Sequence, residues 1–410
     1  MAEGGFAGAP LKVGRSVALA LLLACGLVNY VDRVALSVAA PQIAHELRLR
    51  PSELGVLLSA FLWSYALAQA PAGALADRAS PRRVLGGAML LWSAAQGAAG
   101  LAATLPQLIA ARLGLGLGEA PQFPVAARVV RGWFAPAGRG LATGVFNSAS
   151  TLGPALAPPI VTALMLGFGW RAAFWATGLA GLAMAAVWWR LYRDPPEPAA
   201  DGVASGTTPS WRALARQPTL WAMALGNLGS GYLTWFYAAW LPSYLEAGRR
   251  LSVLQTGWAA SIPYLFGAAG SLAGGWACDA LTRAGLSPIA SRKAPLIAGL
   301  AGGAAFTGLA VAAPGALLAV AAIAAALFCA NVATAAVWAL AVAAAPAGAV
   351  GRVGAVQNLG GFVGGALAPI ATGVLVEATG DFAAPLGLAA AAGAAGALVY
   401  LAGVRRPILF

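Results

Sequence analysis

Residues 73–83 read GALADRASPRR. Four of these residues are charged, in a chain where only 9% are. The stretch lies between two apolar runs, 52–76 and 84–103. Each run is long enough to cross a bilayer as a helix, which takes roughly 20 apolar residues. A cluster of charge pinned between two such runs is a turn at a membrane surface.

The rest of the chain repeats this pattern. Apolar runs bounded by charges and Pro/Gly breaks predict twelve spans: 16–41, 52–76, 84–103, 106–130, 139–166, 170–191, 217–245, 253–280, 293–313, 315–345, 351–377 and 382–404. Composition agrees. Of 410 residues 60% are hydrophobic, and mean hydropathy is +0.77. A soluble domain carries about 25% charge, and a disordered chain is polar. The first run follows Lys12 and Arg15 as a signal peptide would. It continues too far and contains Asp32-Arg33, so it reads as a retained first helix.

The net charge of +12 would suggest nucleic acid in a soluble protein. Here 18 of the 25 Lys and Arg residues fall on one side of the predicted spans and 5 on the other. Arg33 and Arg112 remain inside the membrane. This positive-inside bias puts both termini in the cytoplasm and removes the need for a nucleic-acid partner. The expected location is a multi-pass position in a bacterial inner membrane.

The one long polar connector is YRDPPEPAADGVASGTTPSWRALAR, 192–216. It predicts an N-terminal six-helix bundle over 1–192, a cytoplasmic linker over 193–216 and a C-terminal six-helix bundle over 217–410. The halves echo each other. GALAD (73–77) matches GWACD (275–279), and FNSASTLGPALAP (146–158) matches QNLGGFVGGALAP (357–369). Internal repeats are a transporter signature. The predicted fold is an all-α polytopic membrane protein, with twelve transmembrane helices in two pseudo-symmetric bundles.

An ionisable group in hydrocarbon is costly and marks function by default. Four sit deep, all in the N-terminal half: Asp32, Arg33, Arg112 and Glu119. Asp32 and Arg33 point about 100° apart on a helix, so each needs its own partner. Asp32 reads as a proton-titrating carboxylate. Arg33, flanked by Tyr30 and Ser37, offers a bidentate fork to a substrate carboxylate. Arg112 and Glu119 lie two turns apart on one face, which predicts a salt bridge that opens when Glu119 is protonated. A static ion pair is the alternative in both places. Tyr65 and Gln69, Asn147 and Ser150, Trp235 and Tyr237, Asn331 and Trp338, and Gln357-Asn358 are further polar or aromatic groups at membrane depth. His45, the one histidine, reads as a solvated loop residue. Trp170 and Trp188-Trp189 read as interface anchors. Cys25, Cys278 and Cys329 have no metal or disulfide spacing. No enzyme activity, metal or cofactor is expected, only protons as coupling ion.

GALADRASPRR resembles the loop signature of the major facilitator superfamily. NYVDR (29–33), SAFLWSYALAQAP (59–71), RLGLGLGEAPQFP (112–124), RGWF followed by GRG (131–140), WLPSYL (240–245) and SRKAP (291–295) together resemble its anion:cation symporter family. The bacterial members take up hexonates, hexuronates, glucarate and other organic acids. The resemblance implies the major facilitator fold and proton-coupled import of an organic carboxylate by alternating access. It implies proton sites at Asp32 and Glu119, a substrate carboxylate on Arg33, and pairing of Arg112 with Glu119. Tyr65, Trp338 and Asn358 match lining residues. The family's fifth-helix Gln, which bonds substrate hydroxyls, is matched by Ser150, a shorter donor that leaves room for a smaller, bulkier or less hydroxylated acid. NYVDR and GLGEA also occur in spinster-like lipid transporters, and LGPALAPP (152–159) resembles drug/proton antiporters, so these are the competing readings. The partners expected are a small organic carboxylate, protons and the lipid bilayer, with the monomer as the working unit.

Overall fold

A computed structural model describes residues 8–195, 210–346 and 349–408. Among these described residues every regular element is helical. In chain order they are α1 (Gly8–Glu46), α2 (Pro51–Arg78), α3 (Pro81–Ala99), α4 (Leu105–Glu119), α5 (Gln122–Trp133), α6 (Pro136–Asn147), α7 (Ala149–Leu191), α8 (Trp211–Ala215), α9 (Pro218–Ser243), α10 (Val253–Arg283), α11 (Pro288–Ala312), α12 (Ala316–Ala344), α13 (Val350–Thr379) and α14 (Ala383–Gly403). A π-turn, Tyr244–Gly248, follows α9.

These elements make the twelve predicted spans. Helices α4 and α5 form the fourth, and α6 with the first part of α7 forms the fifth. Gly169 then turns the chain at φ 83°, ψ 164°, a conformation that favours glycine, and the rest of α7 is the sixth. Of the expected linker 193–216, residues 196–209 lie outside the described residues, and α8 occupies part of the remainder.

Three local expectations change. Helix α1 runs through Pro41 to Glu46, which places His45 as an exposed residue of its last turn rather than in a loop. The fourth and fifth spans are not continuous helices: the first breaks at Ala120-Pro121 and the second at Ser148. Trp170 and Trp188 are buried rather than anchored at an interface. Trp188 stacks on Tyr192 at 4.0 Å and donates its indole N–H to the Arg82 carbonyl.

Seven helical stretches among the described residues are long and apolar enough to cross a membrane on composition alone. Helices α3, α9 and α10 are not among the seven. They bury polar side chains, among them Ser93 and Gln96, Asn227 and Ser230, Thr256 and Ser261. Conversely, Leu141, Phe168, Leu272 and Leu317 are strongly exposed, as side chains in contact with lipid tails would be.

The described residues fall into two compact units. One lies within Met1–Ala39 and Trp63–Gly202, the other within Ala40–Leu62 and Val203–Phe410. In the first unit the opening motif becomes a knot of helix ends. Arg128 of α5 donates to the Ala76 and Ala79 carbonyls at the end of α2. Ser80 caps α3 and bonds Asp194, which also accepts from the Arg82 backbone. Cations at a helix C-terminus and acceptors at an N-terminus are what orphan backbone groups require. In the second unit Lys293 performs the same task, donating to the Leu401 and Val404 carbonyls at the end of α14. Arg249 does so for Ala310 and Ala313 at the end of α11.

The repeat is visible in the backbone too. The two non-glycine residues with positive φ among those described are Arg48 (51°) and Arg250 (57°). Their separation of 202 residues equals that of GALAD and GWACD.

Glycine sets the helix spacing. In the second unit a Cβ on Gly360 or Gly364 of α13 would run into the Ala224 or Leu228 carbonyl of α9. Gly231 of α9 meets the Gly361 carbonyl in the same way. In the first unit Gly118 lies against the Trp92 backbone, where a Cβ would come within 2.7 Å. Lipid tails are as apolar as leucine, so close backbone approach replaces the hydrophobic effect as the packing force. Gly364→Val is therefore expected to destabilise the detergent-purified protein by about 1–3 kcal/mol or more. Gly275→Ala, at a helical position with nothing within 4 Å, is expected to stabilise it by up to about 1 kcal/mol. Thermal unfolding of the two variants checks the opposite signs.

Candidate functional site

The four membrane-depth charges meet in the first unit. Asp32, Arg112 and Glu119 are buried, and the Arg33 side chain is 8% exposed. Arg33 Nε donates to Glu119 Oε2 at 2.6 Å. Its guanidinium lies over the Tyr30 ring at 4.8 Å and over the Tyr65 ring at 4.7 Å. Two aromatic faces and one carboxylate thus surround this cation. Desolvated cation–π contacts are worth up to about 2 kcal/mol each.

Local structure explains why Glu119 needs this arginine. It is the last residue of α4, at the negative end of the helix dipole, where a carboxylate is disfavoured. Pro121 and Pro124 carry no N–H, so the helix cannot run on unbroken and resumes as α5. Arg33 supplies the compensating charge. The fully buried Asn29, one turn below Arg33, also faces the Glu119 carboxylate.

The expected bridge partner is different. Arg112 does not pair with Glu119 here. Its Nη1 donates to the backbone carbonyl of Asp32 at 3.3 Å, and its guanidinium lies 5.5 Å from the Phe174 ring centroid. Glu119 remains within electrostatic reach of it. Two turns of α4 separate the two residues, and the long side chain spends its reach on α1 instead of running along its own helix.

Asp32 points away from Arg33, toward α4 and α7, with Glu119, Thr177 and Arg112 around it. Neither carboxyl oxygen accepts a hydrogen bond. Tyr30 packs edge-on to Phe123 and against Gly153, where a Cβ would strike the Tyr30 β-carbon. Ser150 donates to the Asn147 carbonyl at 2.7 Å and lies near the Tyr30 hydroxyl. Tyr30, Arg33, Tyr65, Asp32, Arg112, Glu119 and Ser150 therefore belong to one neighbourhood. Sequence reading missed Gln96 and Thr177, which join it from α3 and α7. Both are polar residues at membrane depth, the same signal that singled out Gln69 and Asn147.

Trp338 and Asn358 lie in the second unit. They line a cavity of about 110 Å³ with Asn227, Ser230, Thr234, Trp235, Thr334 and Gln357. Gln357 donates to the Val337 carbonyl at 2.8 Å and accepts on its backbone oxygen from Asn227. The lining holds no charged side chain; its polar groups are neutral donors and acceptors, set among two indoles, Val337, Phe362 and glycines. Tyr237 is not part of it. Its hydroxyl is buried on Thr307 at 2.8 Å, which makes it interhelical glue.

The sequence profile of the Major Facilitator Superfamily matches residues 22–369. A "probable L-galactonate transporter" of Escherichia coli is 40% identical over 97% of this chain and 91% of its own. A "probable sulfoacetate transporter" of Cupriavidus necator is 31% identical over 94% and 93%. A solved bacterial homologue of the lysosomal transporter Spinster superposes with a TM-score of 0.78 at 21% identity, covering 95% of this chain and 94% of that one. This chain belongs to the major facilitator superfamily. It is a multi-pass membrane transporter and not an enzyme.

The geometry predicts unequal couplings. In a double-mutant cycle on thermal unfolding, Arg33→Gln with Glu119→Gln is expected to give a coupling of about 1–3 kcal/mol, and Arg112→Gln with Glu119→Gln less than about 0.5 kcal/mol. The reverse order would move the bridge to Arg112.

Proposed function

We propose that this member of the superfamily imports an organic carboxylate, a sugar acid of the hexonate kind, together with protons by alternating access. The observation that carries the reading is the buried Arg33–Glu119 bridge between two tyrosine rings. A guanidinium held by a carboxylate at membrane depth is a carboxylate site with its own internal occupant. When Glu119 takes a proton it no longer competes, and the Arg33 fork can turn to a substrate carboxylate. The substrate replaces the charge that Glu119 gave up, so the cation is never left uncompensated in low dielectric.

Asp32 is the second proton site. It is buried without a hydrogen bond or ion pair, a state in which a neutral carboxyl is far cheaper than a carboxylate. With both carboxyls protonated, binding the anion offsets one of the two arginines, so the loaded protein reorients at a lower desolvation cost than the protonated empty one. On the other side protons and anion leave, and Glu119 takes Arg33 back. Arg112 holds the α1 backbone at Asp32 throughout. In this reading residues 1–192 are the proton-coupling half and 217–410 the second bundle, joined by the linker. The working unit is the monomer.

The nature of the acid is supported from two directions. The relatives are named for L-galactonate, an acid with one carboxylate and several hydroxyls, and for sulfoacetate, which carries a sulfonate beside its carboxylate. The uncharged cavity holding Trp338 and Asn358 suits hydroxyls rather than a second carboxylate. Ser150, a shorter donor than Gln, leaves room in the site for a bulkier acid.

Purified protein in proteoliposomes is expected to accumulate radiolabelled L-galactonate or sulfoacetate when the outside is acidic, and to stop when a protonophore is added. Arg33→Ala is expected to abolish binding of either acid in a thermal-shift assay. Asp32→Asn is expected to lose accumulation but keep exchange of internal for external acid. Binding that survives Arg33→Ala, or full accumulation by Asp32→Asn, would sink the corresponding role. If two protons accompany one monovalent anion, an inside-negative potential also drives uptake, by about 2.3 kcal/mol per 100 mV.

A further inference from the structure

Behind Asp32, on the face turned away from Arg33, lies a chain of polar side chains. Gln96 of α3 donates its amide N–H to the Thr177 hydroxyl of α7 at 2.9 Å, and both residues are buried. Thr177 in turn donates to the Phe174 carbonyl, at a long 3.3 Å. The same hydroxyl faces the Asp32 carboxyl without meeting the geometry of a hydrogen bond. The contact is built by close helix approach on either side. A Cβ on Gly178 would come within 2.9 Å of the Gly97 nitrogen and the Ser93 carbonyl oxygen. A Cβ on Gly181 would strike the Ser93 hydroxyl. Only with α3 this near can Gln96 reach across to Thr177.

The charged groups that face Asp32 are few. From α4 come Arg112 and Glu119. From α1 itself comes Arg33, which is directed at Glu119. Helices α3 and α7 offer Gln96 and Thr177, both neutral. Arg112 already gives one nitrogen to the Asp32 backbone rather than to its carboxylate.

The geometry points to Thr177, seated by Gln96, as a positioning residue that serves both protonation states of Asp32. A hydroxyl has one proton and two lone pairs. With Asp32 protonated, the Asp32 O–H donates to Thr177 Oγ, which also accepts from Gln96, and the Thr177 proton goes to the Phe174 carbonyl. With Asp32 ionised, a rotation about the Thr177 Cβ–Oγ bond swings that proton to the carboxylate, while Gln96 still donates from behind. No atom is lost and none is added except the transported proton on Asp32. The Thr177 bond to Phe174 matches one part of the protonated-state arrangement. A hydrogen bond to the ionised form is about twice as strong as one between neutral groups, so the hydroxyl matters most once the proton has left.

This inference rests on Asp32 being a proton site, and the test separates the two. Infrared difference spectra of purified protein in lipid follow the C=O stretch of a protonated carboxyl against pH, without any substrate. The band missing in Asp32→Asn belongs to Asp32. If no such band titrates, the proton-site reading falls. If it does titrate, Thr177→Val is expected to move its midpoint to higher pH by about one unit and to shift its frequency. Thr177→Ser is expected to return both toward wild type, and Gln96→Leu to move the midpoint in the same direction by less. An Asp32 band with unchanged midpoint and frequency in Thr177→Val overturns the role of Thr177. If the valine variant does not fold, Thr177→Ala supplies the hydroxyl-free readout, and an unchanged Asp32 midpoint and frequency there overturns the role of Thr177.

Discussion

A lone charge in hydrocarbon costs several kcal/mol, and this chain places four of them close together. Everything else about the first unit follows from how that cost is met. Glu119 and Arg33 neutralise each other, and Tyr30 and Tyr65 cover the remaining faces of the guanidinium. Arg112 turns to a backbone carbonyl and the face of Phe174. Asp32 meets no cation at bonding distance and lies opposite a hydroxyl. The balance is exact only in certain protonation states. A carrier can use such an arrangement, because a change of one proton alters which contacts are affordable.

Small residues make that neighbourhood possible. Gly153 admits Tyr30, Gly178 and Gly181 bring α7 onto α3, and Gly118 brings α4 onto Trp92. The second unit uses the same device at Gly231, Gly360 and Gly364 for a different end, since its cavity is lined with neutral groups alone. Two copies of one helical plan have therefore diverged chemically. One holds charge and the other offers hydrogen bonds. Their common plan persists in the backbone, where Arg48 and Arg250 take up the same rare conformation at equivalent corners.

Much of this was legible in the residues alone, and the reasons differ from case to case. Twelve spans could be read because lipid imposes a length and charge marks the turns. Asp32, Arg33, Arg112 and Glu119 stood out because charge at depth is rare. The partner of Glu119 was not legible. Spacing along α4 favoured Arg112, but the pairing depends on how α1 is rotated against α4 and on where a long side chain spends its reach. Gln96 and Thr177 look like ordinary polar residues in sequence. Their relation exists only because Gly178 and Gly181 set the distance between two helices. The extension of α1 past Pro41 was hidden for another reason. Proline ends many helices, yet its cost falls on the preceding turn and leaves the following one intact.

The break after Glu119 gives the fourth span an uneven stiffness. Helix α4 and helix α5 are each held by an unbroken ladder of backbone bonds, but Pro121 and Pro124 remove rungs where they join. A rod of this kind behaves as two rigid arms on a compliant joint, and an applied torque bends it at that joint before anywhere else. Glu119 stands beside that joint, so a change in its pairing with Arg33 acts where the rod bends most easily.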